Sequence, residues 1–315
     1  MTKIKFNKIL KSWLIALLSL FFLLNLVTGI IKFPELQHFF IFVYNYISAS
    51  TLTKLHDFGG LILVGLIIIH LVVNYRWFAN WFLEFKLKFR RPKNGKIYLS
   101  TIVIILALIA LGAFIFRSYR YQPITLSGVE VKDYNGEKLG SVNDFRENSI
   151  NGPQYIDKNS YHLEVSGLVA TSSNYSYDDI LKLPSYQKVV TLNCVEGWSV
   201  KVLWEGIMLR DLLKKSDIKP EAKTVIFYAA DGYSTSFPLD YILNNDIIMA
   251  DKMNGLILPP ERGFPFQLVA EQKWGYKWIK WITKIELSSD INYKGFWESR
   301  GYNNNGDLKD SKFSK

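Results

Sequence analysis

The first third of the chain contains long apolar runs, whereas later apolar and polar positions alternate over short distances. Three apolar runs stand out, at about 13–31, 53–75 and 98–116. Each is long enough for an α-helix to cross a hydrocarbon core that is about 30 Å thick. The pattern therefore predicts an all-α transmembrane domain over residues 1–118, with three spans.

The positive charge of the chain lies beside these runs. Residues 1–116 contain 13 Lys/Arg and 3 Asp/Glu, whereas residues 117–315 contain 25 of each kind. The basic residues concentrate before the first run and between the second and third, and such segments stay in the cytoplasm. We therefore expect a multi-pass protein of the cytoplasmic membrane with an extracytoplasmic C-terminal domain. Nucleic acid is not an expected partner, because the folded part has no basic excess.

Three of the four histidines, His38, His56 and His70, lie in the membrane part. On one helix, His56 and His70 would lie roughly 40° apart around the axis and about 21 Å apart along it. This spacing suits axial ligands to two stacked haems, with His38 as a partner for His56, and the local sequence resembles cytochrome-b-like membrane domains. The alternative is that they are interfacial or helix-packing residues. Both interpretations stay open, because spans one and three offer no histidine to pair with His70.

From Tyr161 onward the pattern changes to short β-rich segments separated by turns. Strands are predicted at 161–165, 189–192 and 224–228 and within 278–287, and short helices at 176–183 and 209–215. This mixture predicts an α+β domain with mixed sheets over residues 161–302. Residues 119–160 are polar and rich in turn-forming pairs, so we expect a linker and lead-in there. Residues 303–315 are predicted to be a polar tail.

One segment of this domain is more specific than the others. It runs from Thr191 to Ser199 and contains Cys194, the single cysteine of the chain. Further motifs follow in order at 231–235, 258–265, 273–280 and 295–302. Together they resemble the molybdopterin-binding oxidoreductase domain shared by sulfite oxidases and the catalytic subunit of periplasmic methionine sulfoxide reductase.

The resemblance implies that Cys194 is the protein ligand to the molybdenum of a molybdopterin cofactor. A thiolate is the soft anionic donor that such a metal needs, although a lone cysteine is more often a core residue. The implied cofactor-binding residues are Asn193, Trp198, Lys273, Tyr276, Lys277 and Lys280. The lysines are expected to pair with the phosphate of the pterin. Tyr233 and Arg262 are the candidates to act with Cys194 on the catalytic side. The alternatives are that Tyr233 is a core residue and that Arg262 forms a surface salt bridge instead of binding an oxyanion substrate.

The chain departs from the sulfite oxidase pattern at two places. Its lead-in reads Arg146-Glu147-Asn148, and Gln267 stands where an arginine is expected. We therefore expect oxygen-atom transfer that reduces an S-oxide or similar acceptor, with electrons from the membrane, through a quinol or another electron-transfer partner and haem b. The alternatives are a sulfite-type oxidase that passes electrons inward and a non-catalytic membrane-tethered surface protein. The expected partners are the lipid bilayer and a small-molecule oxygen-atom donor or acceptor.

Overall fold

A computed structural model of the chain describes residues 3–33, 36–75, 77, 80, 107 and 124–314. The predicted third span at 98–116, apart from residue 107, lies outside the described residues. The chain divides into two compact units, 1–33 with 52–123 and 34–51 with 124–315.

Two long helices, α1 (Lys3–Lys32) and α2 (Ala49–Val73), coincide with the first two predicted spans. Their apolar parts, Ile9–Lys32 and Ala49–Val73, are long and apolar enough to cross a membrane. Large apolar side chains stay exposed along both helices, with Leu20 at 60% and Leu61 at 69%. In water such a surface would favour aggregation. The two helices therefore have the length, composition and exposure of helices that face lipid.

Small residues bring α1 and α2 together within the first unit. A Cβ on Gly59 would lie 3.1 Å from Asn25 Nδ2, and a Cβ on Gly29 would lie 3.3 Å from the ring of His56. Close approach at glycine is a common way for apolar helices to pack and to pair polar side chains across their interface. Here it places His56 against α1.

The second unit is rich in strands. They are β1 (Asp133–Tyr134), β2 (Glu137–Lys138), β3 (His162–Gly167), β4 (Ser173–Ser176), β5 (Ser185–Asn193), β6 (Ser199–Met208), β7 (Thr224–Ala229), β8 (Ser234–Pro238), β9 (Ile248–Met253), β10 (Leu256–Ile257), β11 (Gln267–Val269) and β12 (Ile282–Ser288). The short helices are α3 (Tyr177–Leu181), α4 (Leu209–Leu213) and α5 (Leu239–Asn244). Single 3₁₀ turns or helices occupy Gln37–Asn45, Lys214–Ser216, Pro260–Arg262, Gly275–Lys277 and Glu298–Arg300.

Two five-stranded sheets organise this unit. One has the order β10-β9-β6-β5, with β11 also paired to β9, and the other has the order β4-β3-β12-β7-β8. β12 runs parallel to β3 and antiparallel to β7. The predicted α+β fold with mixed sheets is therefore confirmed.

The predicted elements agree with the structure except near residue 280. α3 begins where expected because the Ser176 side chain accepts a hydrogen bond from the Asp179 amide, which forms a capping box. The stretch predicted as strand within 278–287 is extended only from Ile282. Trp281 has a φ of 52°, a left-handed conformation that ends an extended segment.

A single hydrophobic core draws on both sheets. Leu163 and Ile285 come from one sheet, and Trp204 and Met249 come from the other. The lead-in also contributes, since Val142 is fully buried within the same core. Residues 124–160 are therefore packed on the domain that carries the site.

Candidate functional site around Cys194

Cys194 lies directly after β5, in the tight turn that leads into β6. Its amide donates to the Trp198 carbonyl at 2.9 Å, and the Gly197 amide donates to the Cys194 carbonyl at 3.1 Å. Gly197 has a φ of 92°, which costs a glycine little. The turn therefore holds the sulfur at one end of the β5–β6 pair.

The Cys194 thiol is 7% exposed. Burial raises its pKa to about 12, and the nearby carboxylate of Glu196 acts in the same direction. Asn148 Nδ2 donates to Sγ at 3.6 Å and partly opposes this shift. The free thiol is therefore protonated at neutral pH, and a metal ion that binds the sulfur would displace the proton.

Asn148 was not among the residues that the sequence analysis selected for the site. It lies 46 residues before Cys194, in the lead-in that was noted only as a departure from sulfite oxidases. The sequence gives only a weak indication that Asn148 belongs to the site, namely that Arg146, Glu147 and Asn148 are adjacent polar residues. Only the packing of the lead-in on the domain brings the amide to the sulfur.

The lysine- and aromatic-rich run at 273–280 lies beside the cysteine turn. Asn193 forms an isolated parallel bridge with Trp274. A Cβ on Gly275 would lie 3.4 Å from Cys194 Cα, so a larger residue would crowd the turn. The ring of Tyr276 lies 5.0 Å from that of Tyr302. The structure thus brings Asn193, Cys194 and this run together.

Lys277 lies in a closed environment. Its Nζ donates to the carbonyls of Ser236 at 2.6 Å and Asn304 at 2.9 Å, and it pairs with Glu298 at 2.7 Å. Both side chains of the ion pair are fully buried. Because an ammonium has three hydrogens, these acceptors occupy all of them.

Lys273 and Lys280 occupy less closed environments. Lys273 Nζ pairs with Asp307 at 2.7 Å, and Lys280 Nζ pairs with Glu147 at 2.5 Å. Burial lowers the pKa of Lys280, while Glu147 acts in the opposite direction. Each of these two ammonium groups has one carboxylate partner among the contacts that the structure describes.

Arg262 contacts the lead-in. Its Nε and Nη2 donate to the Val142 carbonyl at 2.9 and 2.8 Å, and Nη2 also donates to the Phe145 carbonyl at 2.5 Å. The guanidinium lies 3.8 Å from the centre of the Phe145 ring. Arg262 therefore holds the segment that carries Asn148 against the domain.

Tyr233 and Trp198 also make specific contacts near this turn. The Tyr233 hydroxyl donates to the Tyr276 carbonyl at 2.5 Å, and burial raises its pKa well above the usual value. Trp198 Nε1 donates to Glu196 at 3.2 Å. Its ring lies 5.5 Å from that of Phe145. Both residues thus contact segments that border Cys194.

In the membrane part, His56 makes a hydrogen bond to α1. Thr28 Oγ1 lies 2.9 Å from His56 Nδ1 and donates to the Leu24 carbonyl at 2.7 Å. With its own hydrogen donated to the Leu24 carbonyl, the hydroxyl is placed to accept a hydrogen bond from Nδ1–H, in the tautomer that has a lone pair on Nε2. His70 Nδ1 has a longer contact, 3.5 Å to Asn74 Nδ2. The side chain of His38 lies outside what the structure describes.

The region that carries Cys194 matches a known family. Residues 150–297 match the family model described as the oxidoreductase molybdopterin binding domain. The chain is also 36% identical over 156 residues to the uncharacterized oxidoreductase YuiH of Bacillus subtilis, covering 49% of this chain and 78% of that protein. The chain belongs to this family, and it is a molybdopterin-dependent oxidoreductase with a mixed-sheet α+β fold.

Two further relatives are catalytic subunits of protein-methionine-sulfoxide reductase, both named MsrP. The chain is 30% identical over 171 residues to the subunit of Campylobacter jejuni, covering 49% of this chain and 57% of that protein. It is 32% identical over 143 residues to the subunit of Gluconobacter oxydans, covering 40% of this chain and 46% of that protein. The chain thus spans about half the length of these two relatives.

The residues around Cys194 fit a molybdopterin cofactor. The buried thiol offers a soft ligand, and the lysines beside it offer positive charge for an anionic group. Trp274 Nε1 and Asn304 Oδ1 are buried and have no hydrogen-bond partner among the described residues. A cavity of about 500 Å³ elsewhere in the domain is lined by 125–127, 155–157, 256–260 and Phe264. It carries no cysteine or basic side chain, so it fits this cofactor less well.

Proposed function

We propose that this protein is a membrane-anchored molybdenum oxidoreductase whose active site lies outside the cytoplasmic membrane. It reduces an S-oxide or a similar oxygen-atom acceptor with electrons drawn from the membrane. The observation that carries this proposal is the buried Cys194 thiol, held in a glycine turn with Asn148 as its hydrogen-bond donor. When bound, the cofactor supplies two-electron oxygen-atom transfer, and the protein supplies the ligand, the orientation and the electrostatics.

Cys194 is the molybdenum ligand in this proposal. Metal binding releases the thiol proton, so the protein must stabilise a sulfur that carries negative charge in a buried place. Asn148 donates to that sulfur, and hydrogen bonds to charged groups contribute more than those to neutral groups. Arg262 acts as a positioning residue, because it binds the Val142 and Phe145 carbonyls and so holds the lead-in that carries Asn148.

The three lysines have different roles in this proposal. Lys277 stabilises the fold, because its ammonium already has three acceptors. Lys273 and Lys280 bind the cofactor's phosphate, since each has only one carboxylate to compete with it. Trp198 and Tyr276 border the cysteine turn and cover the pterin ring. Tyr233 positions the 273–280 run through the Tyr276 carbonyl.

Reduction of an S-oxide is favoured over oxidation of sulfite by one buried side chain. Gln267 lies in β11 and is 4% exposed. It stands where the sulfite oxidases are expected to carry an arginine. A neutral amide there gives an anionic substrate no opposite charge, whereas a neutral sulfoxide needs none. A sulfite-type oxidase and a non-catalytic surface protein are the competing proposals.

The first prediction tests the role of Cys194 in the full chain. We expect stoichiometric molybdenum in the purified protein and turnover of an S-oxide with a reduced dye as electron donor. Cys194→Ser should lower turnover by at least about 100-fold, because a neutral hydroxyl is a poor replacement for a thiolate ligand. Ser199→Ala, an exposed substitution at the start of β6 just after the turn, is the matched control and should leave turnover unchanged.

The same measurements separate the competing proposals. Sulfite oxidation with an oxidised dye, in place of S-oxide reduction, would reverse the direction that we propose. A chain that folds without binding molybdenum would support the non-catalytic alternative. Equal specific activity in wild type and Cys194→Ser would end the assignment of the ligand.

We also propose that α2 would offer His56 as an iron ligand to a b-type haem, a group that supplies one-electron transfer when bound. Histidines that bind metal usually donate their other ring N–H to a neighbouring group. His56 has this arrangement, with Thr28 as the acceptor and Nε2 as the free donor atom for iron. His70 and His38 are the candidates for the remaining axial positions.

The second prediction tests this haem. We expect b-type haem bands in the dithionite-reduced spectrum of the detergent-purified protein, and His56→Ala should lose at least part of that absorbance. His162→Ala removes an exposed histidine of β3 and serves as the control. No haem bands in protein expressed with ample haem would leave His56 as a helix-packing residue.

A further inference from the structure

The short connection between α1 and α2 belongs to the second unit and contacts its C-terminal motif. We call residues 36–51 the inter-span segment, and it includes the 3₁₀ helix Gln37–Asn45. The ring of Tyr44 meets that of Trp297 edge to face at 5.5 Å. Arg300 Nη2 donates to Asn45 Oδ1 at 2.9 Å. These contacts attach the segment to the domain that carries Cys194.

The end of the inter-span segment packs closely against Gly301, which belongs to the same C-terminal motif as Trp297 and Arg300. Gly301 has a φ of 96°, and a Cβ there would lie 2.8 Å from Ser48 Cβ. Ser48 Oγ accepts a hydrogen bond from the Thr51 amide at 3.1 Å, so it caps α2. One residue therefore both begins a candidate membrane span and touches the domain.

A face of the segment other than the one that carries Tyr44 is apolar and exposed. Leu36, Phe39 and Phe42 recur every three residues, and this spacing places them on one face of a 3₁₀ helix. Phe39 is 65% exposed and Phe42 is 56% exposed, whereas Tyr44 is 6% exposed. The segment contains no Asp, Glu, Lys or Arg.

We propose that the aromatic face of the inter-span segment lies in the interfacial layer of the bilayer, so that the segment clamps the catalytic domain to the lipid surface. The occupant of this face follows from the chain itself. The segment joins two helices that are each long and apolar enough to cross a membrane. A connection this short between two spans stays at the bilayer surface, where aromatic side chains concentrate and uncharged apolar faces become buried.

This inference rests on the proposed membrane anchoring and extends it. A tether alone would allow the domain to move relative to the bilayer. A clamp that binds lipid through Leu36, Phe39 and Phe42 and contacts Trp297 through Tyr44 holds the domain at a constant height. The distance between the site and any electron donor in the membrane then stays constant.

The experiment places spin labels on the full chain in phosphatidylcholine/phosphatidylglycerol vesicles. Single cysteines replace Phe42 on the clamp, Leu61 on α2 and the exposed Tyr155 on the domain, and the buried Cys194 is measured as background in the unmodified chain. Collision with oxygen, which dissolves in lipid, is compared with collision with a water-soluble nickel chelate. We expect the Phe42→Cys and Leu61→Cys labels to favour oxygen and the Tyr155→Cys label to favour nickel.

The outcomes separate the inference from the function on which it rests. A lipid-exposed Leu61→Cys label with a water-exposed Phe42→Cys label would overturn the clamp and leave the membrane anchoring intact. Water exposure of both labels would overturn the anchoring and the clamp together. Absence of molybdenum from the same samples would overturn the enzymatic proposal independently of the labels.

A second measurement tests the attachment of the clamp to the domain. Tyr44→Ala removes the ring that meets Trp297, and it should increase the mobility of a label at position 42 while the label stays in lipid. The control is Tyr46→Ala, which removes an exposed ring of the same segment and should leave the mobility unchanged. Equal mobility in the two variants would overturn the attachment.

Discussion

At the scale of single residues, the most informative pair is Lys277 and Glu298. Both side chains are fully buried, and Glu298 also accepts a hydrogen bond from Thr235 at 2.6 Å. The pair joins the 273–280 run to the C-terminal motif. Transferring two charges out of water is costly, and the structure offsets this cost by giving the ammonium group an acceptor for every hydrogen.

The third prediction follows from this pair. Lys277→Met should destabilise the cofactor-free protein by about 3–5 kcal/mol, because it leaves the Glu298 carboxylate buried without its partner. Lys280→Gln should cost less than Lys277→Met, because its ion pair with Glu147 is only partly buried, but it should lower retention of the pterin. Urea unfolding and pterin fluorescence of the released cofactor provide the two measurements. Equal destabilisation by both variants would contradict the proposal that Lys277 stabilises the fold while Lys280 binds the cofactor.

The sequence places these lysines at similar positions in one run and does not distinguish them. Lys277 differs because Ser236, Glu298 and Asn304 surround it, and all three come from other parts of the chain. The sequence also gives no indication of the partners of Arg262. Its motif predicts a catalytic role, whereas in the structure it donates hydrogen bonds to the Val142 and Phe145 carbonyls. A side chain's partners depend on long-range packing, which local spacing does not report.

At the scale of elements, β6 and β9 approach unusually closely where their register shifts. The shift lies between Glu205 and Gly206 on β6. A Cβ on Gly206 would lie 2.2 Å from the Met249 carbonyl oxygen, and that atom belongs to the backbone and cannot rotate away. Glycine at this position therefore allows β6, the strand that follows the Cys194 turn, to pair with β9.

The fourth prediction compares two glycines. Gly206→Ala should destabilise the domain by about 3 kcal/mol, because the added methyl group forces the strands apart. Gly136→Ala lies in the β1–β2 hairpin with no atom within 4 Å of the added Cβ, so only its φ of 82° opposes the substitution. It should cost about 1 kcal/mol. The midpoints of thermal unfolding of both variants, measured in the same detergent, test this prediction. A smaller decrease for Gly206→Ala than for Gly136→Ala would contradict it.

At the scale of the whole molecule, the charge asymmetry of the chain predicts an orientation in the membrane. The basic residues at 76–96 and those at the start of α1, before its apolar part, are expected to stay in the cytoplasm, so we expect everything after the third predicted span to lie outside. The fifth prediction is that alkaline phosphatase fused after Lys315 is active, while a fusion after Lys96 is inactive. The opposite pattern would show that the compartment assigned to the molybdopterin domain is wrong.

The sequence by itself determined the features that depend on local pattern. Apolar runs identified α1 and α2, period-two alternation identified β3, a β-rich run identified β7, and ordered motifs identified the molybdopterin family that the comparisons confirmed. The sequence alone can identify these features because hydrophobic periodicity and the motif around Cys194 depend on residues that are neighbours in the chain.

Tertiary structure alone decided which distant residues meet. It brought Asn148 to the Cys194 sulfur across 46 residues, buried Lys277 against Glu298, and attached Tyr44 of the inter-span segment to Trp297. The physical reason is that such contacts form where separate segments pack on one core. Their partners are selected by the shape and the unsatisfied polar groups of the folded domain, and no periodicity in the chain encodes them.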